Sequence, residues 1–226
     1  MNTILWLAEN TLSVGLTALV IIFQPELRKA LENLGGKNVL GKLFDFGKVE
    51  ENKFSDHTID ELIKACYAMG KVKTGALIVI EDEILLNEYV RTGIDIDAII
   101  SSQLLINIFE KNTPLHDGAV IVRENRIVAA TCYLPLSDNM ELSKQLGTRH
   151  RAGVGISEQT DSVTIIVSEE TGQVSVAQGG KLIRGVNSAK LREILVRAQN
   201  KQVVDNSKLR HLLKGRVKHE EAKNNR

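Results

Sequence analysis

Proline and cysteine are scarce in this sequence of 226 residues, which contains three prolines and two cysteines. With so little proline, and with only 17 glycines, the chain has no room for a low-complexity linker. Cys66 and Cys132 lie far apart and neither has a C-x-x-C partner. We therefore expect buried thiols of a reducing compartment, and neither a disulfide framework nor a zinc site. Internal repeats at solenoid or propeller periods are also lacking.

Two common nucleotide-binding motifs are missing as well. No G-x-G-x-x-G and no G-x-x-x-x-G-K-[ST] occurs, which argues against the usual dinucleotide-binding fold and against a P-loop. The sequence does have the composition of a globular protein, 43% hydrophobic and 25% charged. Its length suits one ordinary domain with a smaller addition.

The C-terminal stretch is basic, although the whole chain is nearly neutral. Residues 181–226 contain 13 Lys and Arg against 4 Asp and Glu, while the net charge of the chain is +1. Acids are interspersed in this stretch, and it has no aromatic residue on which a nucleic-acid base could stack. A solvated helix end is therefore the preferred interpretation of the basic tail at 202–226. Binding to nucleic acid or to anionic lipid is the alternative.

The chain opens with an apolar segment over residues 3–23. As a helix, this segment would be about 30 Å long, the thickness of a bilayer core. Glu9 interrupts it, at a cost of about 2.5–3.5 kcal/mol if the carboxylate lay at the bilayer centre. No basic residue precedes the segment, unlike in a signal peptide, and Arg28 and Lys29 follow it. We expect a single-pass membrane helix over 1–24 with the following chain in the cytoplasm; a buried or dimer-forming amphipathic helix is the alternative.

The body of the chain alternates between two periodicities. Apolar residues at helical spacing run from Asp56 to Gly70, and the segments that begin at Asp97 and Val186 also predict helices. Short runs rich in Val and Ile predict strands that begin at Gly75, Gly118, Arg126, Ser162 and Gly172. The connections R-E-N-R and S-E-E-T-G are typical of hairpins, so the sheet should be mixed. We expect a single α/β domain over 55–201, in which helices flank both faces of a mixed central β-sheet.

Two residues before a predicted strand could carry chemistry. Asp117 and Gly118 are explained by a tight turn, but the missing Cβ of the glycine would also let a ribose or phosphate approach the backbone. The neighbouring His116 could join a metal shell, although a hydrogen-bonded surface histidine is the commoner case.

The segment G-T-R-H-R-A-G, from Gly147 to Gly153, has the groups that polyphosphate binding requires. Thr148 offers a hydroxyl, and Arg149 and Arg151 offer planar guanidinium groups. If the segment continues as a helix, its N-terminus also favours an anion. A solvated basic helix face is the alternative interpretation.

Two further strand ends carry side chains that suit a nucleotide. Ser168 and Glu169 end one predicted strand, where they could meet a phosphate or the arginines, or simply form a hydrophilic hairpin loop. Tyr133 ends another strand and offers an aromatic plane for an adenine, or else it is packed against its neighbours.

Together, these segments occur in the order and spacing of the bacterial diadenylate cyclase domain, which the chain closely resembles from about residue 23 to residue 201. Asp-Gly-Ala at 117–119 and Arg-His-Arg at 149–151 match the signature of that family. The stretch F-Q-P-E-L-R-K-A-L-E-N-L-G from Phe23 further resembles the membrane-anchored branch, where a transmembrane helix meets a linker helix. That branch usually carries three transmembrane helices, whereas one candidate precedes the linker here. The resemblance thus implies a linker helix and connection at 25–54.

The resemblance implies an enzyme that condenses two ATP molecules into cyclic di-AMP and releases two pyrophosphates. It further implies a divalent metal, Mn²⁺, Mg²⁺ or Co²⁺, and catalysis by two protomers that face each other, so that a monomer should be inactive. The first alternative is a catalytically silent nucleotide-binding membrane regulator. The second is a membrane scaffold whose basic tail binds polyanions.

The resemblance also assigns roles to individual residues. Asp117, Gly118 and Arg149 are the expected catalytic residues, with Asp117 helping to deprotonate the 3′-hydroxyl. His116 and Asp117 are the expected metal ligands. The residues expected to contact ATP are Leu77, Gly118, Tyr133, Leu134, Thr148, Arg149, His150, Arg151, Ser168 and Glu169.

The family also implies a location and partners. In the membrane-anchored branch the helices engage a YbbR-domain regulator, and phosphoglucosamine mutase can inhibit the cytoplasmic domain. We accordingly expect a protein of the cell membrane whose catalytic domain lies in the cytoplasm. The DNA-scanning branch has a helix-hairpin-helix module, which has no equivalent here after Lys201, so no nucleic-acid partner is expected.

Overall fold

The computed structural model describes residues 2–24, 26–27, 53–140, 142–143 and 146–199. The chain divides into two compact units, Met1–Lys48 and Val49–Arg226. Most of the expected linker at 25–54, and all of the basic tail at 202–226, lie outside the described residues.

In the first unit, helix α1 (Asn2–Ile22) covers the apolar N-terminal segment. Its described side chains, which include Trp6, Val14 and Ile22, are exposed. Among the described residues, no helix is long and apolar enough to cross a membrane. The membrane helix over residues 1–24 stays a prediction.

The second unit is built on one sheet. Its strands are β1 (Ala76–Ile80), β2 (Ile94–Ile99), β3 (Ala119–Arg123), β4 (Arg126–Cys132), β5 (Val163–Val167), β6 (Val174–Gln178) and β7 (Lys181–Ile183). Its helices are α2 (Asp56–Val72), α3 (Asn87–Val90), α4 (Ser102–Ile108), α5 (Thr148–Gln159) and α6 (Ser188–Gln199). The strand order is β2-β4-β3-β1-β5-β6-β7. β1 and β3 pair in parallel and the other neighbours pair antiparallel, so the sheet is mixed.

Helices cover both faces of this sheet because successive strand residues point to opposite sides. On one face, Ile59 of α2, Leu105 of α4 and Leu195 of α6 are buried against the strands. On the other face, α5 packs on strand side chains that include Leu77 and Ile166. Strands β1 and β5 are buried along their whole length, which is typical of strands covered on both faces. The predicted α/β domain with a mixed, doubly covered sheet is confirmed.

The prediction that a helix begins at Asp97 is wrong. Residues 94–99 form the edge strand β2 instead. The helix begins at Ser102, because the Ser101 hydroxyl accepts a hydrogen bond from the Leu104 N–H at 3.2 Å and caps the helix N-terminus. Asp97 has a φ of 44° and lies where the register of β2 and β4 shifts, which is typical of a β-bulge. The predicted helix from Asp56 is confirmed and ends at Val72.

Candidate functional site

A cavity of about 420 Å³ opens at one end of the sheet. Its walls come from the starts of β1 and β3, the ends of β4 and β5, and the first turn of α5. All the residues predicted to form the site line it except His116 and Arg151; those that do are Leu77, Asp117, Gly118, Tyr133, Leu134, Thr148, Arg149, His150, Ser168 and Glu169.

Gly118 lets two strands approach closely beside this cavity. It has a φ of 101°, and a Cβ there would lie 2.7 Å from the carbonyl carbon of Thr131 and 2.9 Å from its Cα. Only glycine avoids both the unfavourable conformation and the clash with backbone. Thr131 itself has a φ of 60°, which is a strained conformation for a β-branched residue. The contact brings Asp117, before β3, and Tyr133, after β4, to the same rim.

Asp117 lines the cavity, and His116 directly precedes it in the chain. The Nδ1 of half-buried His116 lies 2.6 Å from the Thr113 carbonyl oxygen, which can only accept, so Nδ1 donates and Nε2 is the ring nitrogen left for a ligand. This is the arrangement that holds metal-binding histidines in place. Asp117 is exposed, and its carboxylate accepts no hydrogen bond from the described residues.

Arg149 reaches from the first turn of α5 across the cavity wall. Its Nη1 lies 2.7 Å from Oε2 of Glu169, and its Nη2 makes a weak 3.5 Å contact with the His116 carbonyl. The Nε–H of Arg149 is buried and meets no acceptor within the described part of the chain. A Cβ on Gly75, just before β1, would lie 2.8 Å from Arg149 Nη1 and 3.0 Å from Glu169 Oε2. The bare backbone at Gly75 therefore makes the room that this ion pair occupies.

The N-terminus of α5 faces the cavity without a side-chain cap. Gly147 occupies the cap position and has no side chain with which to accept from the helix N–H groups. Its carbonyl accepts from the N–H groups of His150 and Arg151, at 3.0 and 3.3 Å. The positive end of the helix dipole and the first backbone amides are thus directed at the space where an anion would bind.

His150 is buried on the cavity wall, with 8% of its surface exposed. Burial lowers its pKa, the positive charge of Arg184 lowers the pKa further, and Glu170 opposes both. The imidazole is therefore neutral at neutral pH. Arg151, by contrast, is half-buried outside the cavity, and its carbonyl accepts from the Ser137 N–H at 3.0 Å. Its expected contact with ATP stays a prediction.

Cys132 lines the cavity as a buried thiol, and burial raises its pKa to about 11. Burial raises the pKa of Cys66 to about 12, and both cysteines are free, which confirms the prediction of buried thiols. Both thiols are thus protonated at neutral pH and unreactive as nucleophiles.

Groups outside the predicted set also line the cavity, among them Gln173, Ser175 and Arg184. Arg184 was missed because the sequence assigned it to the basic C-terminal stretch and because strand β7, which ends at Ile183, is too short to predict. The signal that could have identified Arg184 is the glycine that follows it, because a glycine after an apolar run marks a strand end. In the structure this residue, Gly185, has a φ of 61°.

Comparison of the sequence with known proteins identifies the family of this chain. The family model described as DisA bacterial checkpoint controller nucleotide-binding, or DAC, matches residues 63–182. The chain is 49% identical over 216 residues to the cyclic di-AMP synthase CdaA of Bacillus subtilis, covering 96% of this chain and 78% of that protein. It is 50% identical over 197 residues to a diadenylate cyclase of Listeria monocytogenes, covering 87% of this chain and 71% of that protein.

Solved structures agree with this. A double mutant of DacA from Staphylococcus aureus is 51% identical, with a TM-score of 0.62, and the match covers 63% of this chain and 95% of that one. A Bacillus cereus protein described as a hypothetical membrane spanning protein is 31% identical, with a TM-score of 0.57, over 82% of this chain and 92% of that one. The chain therefore belongs to the diadenylate cyclase family.

Proposed function

We propose that the protein condenses two ATP molecules into cyclic di-AMP and releases two pyrophosphates. The observation that carries the proposal is the cavity in which Asp117 shares a wall with the amide end of α5 and with Arg149. The Asp117 carboxylate has no hydrogen-bond partner in the described part of the chain. The family and the identity of about half to named diadenylate cyclases support it.

Each half-reaction is an in-line phosphoryl transfer. The 3′-oxygen of one ATP forms a bond to the α-phosphorus of the other, and the bond from that phosphorus to the bridging oxygen of the leaving pyrophosphate breaks. The proton of the 3′-hydroxyl passes to Asp117, whose carboxylate has no competing donor among the described residues. Two such steps close the ring. Reactions of this kind need positioning and charge stabilisation more than covalent participation by the protein.

The remaining groups bind the nucleotide. The Thr148 hydroxyl and the first amides of α5 are suited to the phosphates, and the Arg149 guanidinium adds a charge-assisted contact. Leu77, which is 3% exposed, offers an apolar wall for the base. Tyr133, which is 68% exposed at the rim, offers an aromatic face. Ser168 and Glu169 close the phosphate side.

The adjacent residues His116 and Asp117 fit a divalent metal, with Mn²⁺, Mg²⁺ or Co²⁺ as the proposed ions. No cluster of three or more His, Cys, Asp and Glu that could hold a metal occurs in the described ranges. Ions of the Mg²⁺ type, however, are commonly held by one or two protein ligands together with substrate phosphates and water. Nε2 of His116 and the Asp117 carboxylate would supply the protein ligands. A bound ion would neutralise phosphate charge.

The size of the cavity suits one nucleotide, which supports a reaction between two protomers. Pockets for single drug-sized ligands measure about 300–1,000 Å³, and this cavity of about 420 Å³ lies in the lower part of that range, which suits one nucleotide. Asp117 and Tyr133 are exposed at its rim, where a second copy can bring its own ATP. The active species is accordingly a face-to-face homodimer with two-fold symmetry.

We also propose that α1 anchors the protein in the cell membrane, with the catalytic domain in the cytoplasm. The exposed apolar side chains of α1, such as Leu16 and Ile21, support this. The proposed partners are a YbbR-domain regulator and phosphoglucosamine mutase. Deletion of residues 1–24 should move the protein from the membrane fraction to the soluble fraction of lysed cells, whereas unchanged fractionation would contradict the anchor.

The test of the enzymatic proposal uses the full chain with ATP and Mn²⁺, and measures cyclic di-AMP and pyrophosphate. Wild type should form both, and Asp117→Asn should form neither while still binding ATP. Asp138→Asn is the matched control, because Asp138 is exposed and does not line the cavity. If wild type binds ATP without forming product, the protein is a nucleotide-binding regulator instead.

A further inference from the structure

A second arginine lines the cavity on the side away from Asp117. Arg184 follows directly after β7, and its side chain is exposed. Arg149 is already paired with Glu169, whereas no described carboxylate forms an ion pair with Arg184. Of these two guanidinium groups, Arg184 is the one whose charge is not offset by a carboxylate among the described residues.

The backbone holds Arg184 firmly in place although its side chain is exposed. On one side, β7 pairs with β6, with Leu182 opposite Ala177. On the other side, the N–H of buried Val186 donates to the Val174 carbonyl at 2.8 Å, and the Tyr67 hydroxyl donates to the Val186 carbonyl at 2.6 Å. A side chain on a backbone fixed at both ends is suited to recognise a ligand, because little order is lost on binding.

The sheet order places Arg184 far from Asp117. Four strand spacings separate β3 from β7, which amounts to about 19 Å at about 4.8 Å per spacing. Arg184 lines the same cavity as the first turn of α5, which includes Thr148 and His150. An anion between Arg184 and α5 would therefore lie on the opposite side of the cavity from Asp117.

We propose that Arg184 binds the terminal phosphates of ATP, the part that leaves as pyrophosphate. This proposal rests on the proposed function of the cavity. A guanidinium group forms paired hydrogen bonds with phosphate oxygens, and it cannot give up its proton, so the role of Arg184 is binding and charge stabilisation, not acid–base catalysis. The α-phosphate, whose phosphorus is attacked, stays nearer to Asp117.

The test compares Arg184→Gln, Arg184→Lys and the control Lys181→Gln in the full chain. Lys181 lies on the same hairpin, is exposed and does not line the cavity. Binding of ATP, ADP and AMP is measured by calorimetry, together with KM for ATP and inhibition by inorganic pyrophosphate. Loss of a charge-assisted hydrogen bond predicts at least about tenfold weaker binding of ATP and pyrophosphate to Arg184→Gln. AMP binding should change less than about twofold, Arg184→Lys should be intermediate, and Lys181→Gln should match wild type.

Two results would overturn the proposal. One is unchanged ATP affinity in Arg184→Gln, and the other is an equal loss of affinity for AMP and ATP, which would place the guanidinium at the α-phosphate or base. Thermal melts of each variant establish that the fold is intact. The binding measurements with ATP, ADP and AMP also separate this proposal from the proposed function. If wild type binds ATP but makes no cyclic di-AMP, the proposed function is refuted while the role of Arg184 in ATP binding is still tested.

Discussion

Replacing Gly75 by alanine tests whether the position of the Arg149–Glu169 pair controls activity. The added Cβ would lie 2.8 Å from Nη1 of Arg149, 3.0 Å from Oε2 of Glu169 and 3.1 Å from its Cβ. Ordinary contacts begin near 3.4 Å, so each partner must move by several tenths of an ångström. The ends of both side chains are partly exposed and can move. The free energy of unfolding should therefore fall by only about 1 kcal/mol, the lower end of the range of about 1–3 kcal/mol that overpacking typically costs.

Activity should respond much more strongly than stability. A displacement of about 1 Å in a positioning group can lower the rate about a hundredfold, so a shift of this size predicts a fall in kcat/KM of about tenfold or more. The melting temperature should drop by about 2–4 °C. Steady-state cyclic di-AMP synthesis and differential scanning calorimetry measure the two effects. Gly15→Ala is the control, since a Cβ there meets nothing within 4 Å.

If Gly75→Ala kept the wild-type kcat/KM, the pair would not need its observed position, and the reasoning would be refuted. A large loss of stability with a proportional loss of activity would also refute it, because the substitution would then act through folding.

Three further changes have expected outcomes. Thr92→Val removes the hydroxyl that accepts from the Tyr133 N–H at 2.9 Å, so KM for ATP should rise about fivefold to tenfold with little change in kcat, and Thr92→Ser should restore it. Burial lowers the pKa of His150, so below about pH 6.5 the unfolded chain binds a proton that the folded chain resists, and the free energy of unfolding should fall as the pH drops. Urea titrations at pH 7.5 and pH 5.5 measure this fall in the free energy of unfolding. The fall should be smaller for His150→Asn than for wild type, and an equal fall in both proteins would contradict the reasoning. Gln199→Ala removes a buried donor to the Phe54 carbonyl at 2.7 Å and should cost about 1–3 kcal/mol in guanidinium unfolding; an unchanged midpoint would show that the bond is dispensable.

The sequence predicted the interior of the fold well because burial on both faces leaves a strong pattern. Strand β1 is a continuous run of apolar residues, β5 is apolar apart from the buried Thr164, and helix α2 carries a regular apolar stripe. The edge strand β2 was missed, since it is largely exposed and its pairing depends on β4, about thirty residues later. Its bulge at Asp97 interrupts the regular alternation that would have identified it.

The site could be predicted where a motif is local and could not where it is built from distant pieces. Asp-Gly-Ala and Arg-His-Arg are contiguous, so their chemistry is visible in the sequence. The space that Gly75 leaves for Arg149 and Glu169 depends on residues more than seventy positions away, and Arg184 enters the cavity through the pairing of β6 and β7. Such contacts are set by the tertiary fold and leave no periodic pattern.

The most direct test of the central claim is the rate of cyclic di-AMP synthesis by an equal mixture of wild type and Asp117→Asn at fixed total protein, after the protomers have exchanged. If each ring needs two intact protomers, random pairing leaves about a quarter of the dimers active, and the rate should be about a quarter of that of wild type. A rate of about half, which would track the number of wild-type chains, would contradict catalysis between two facing sites. Failure of the wild type itself to form cyclic di-AMP would contradict the account as a whole.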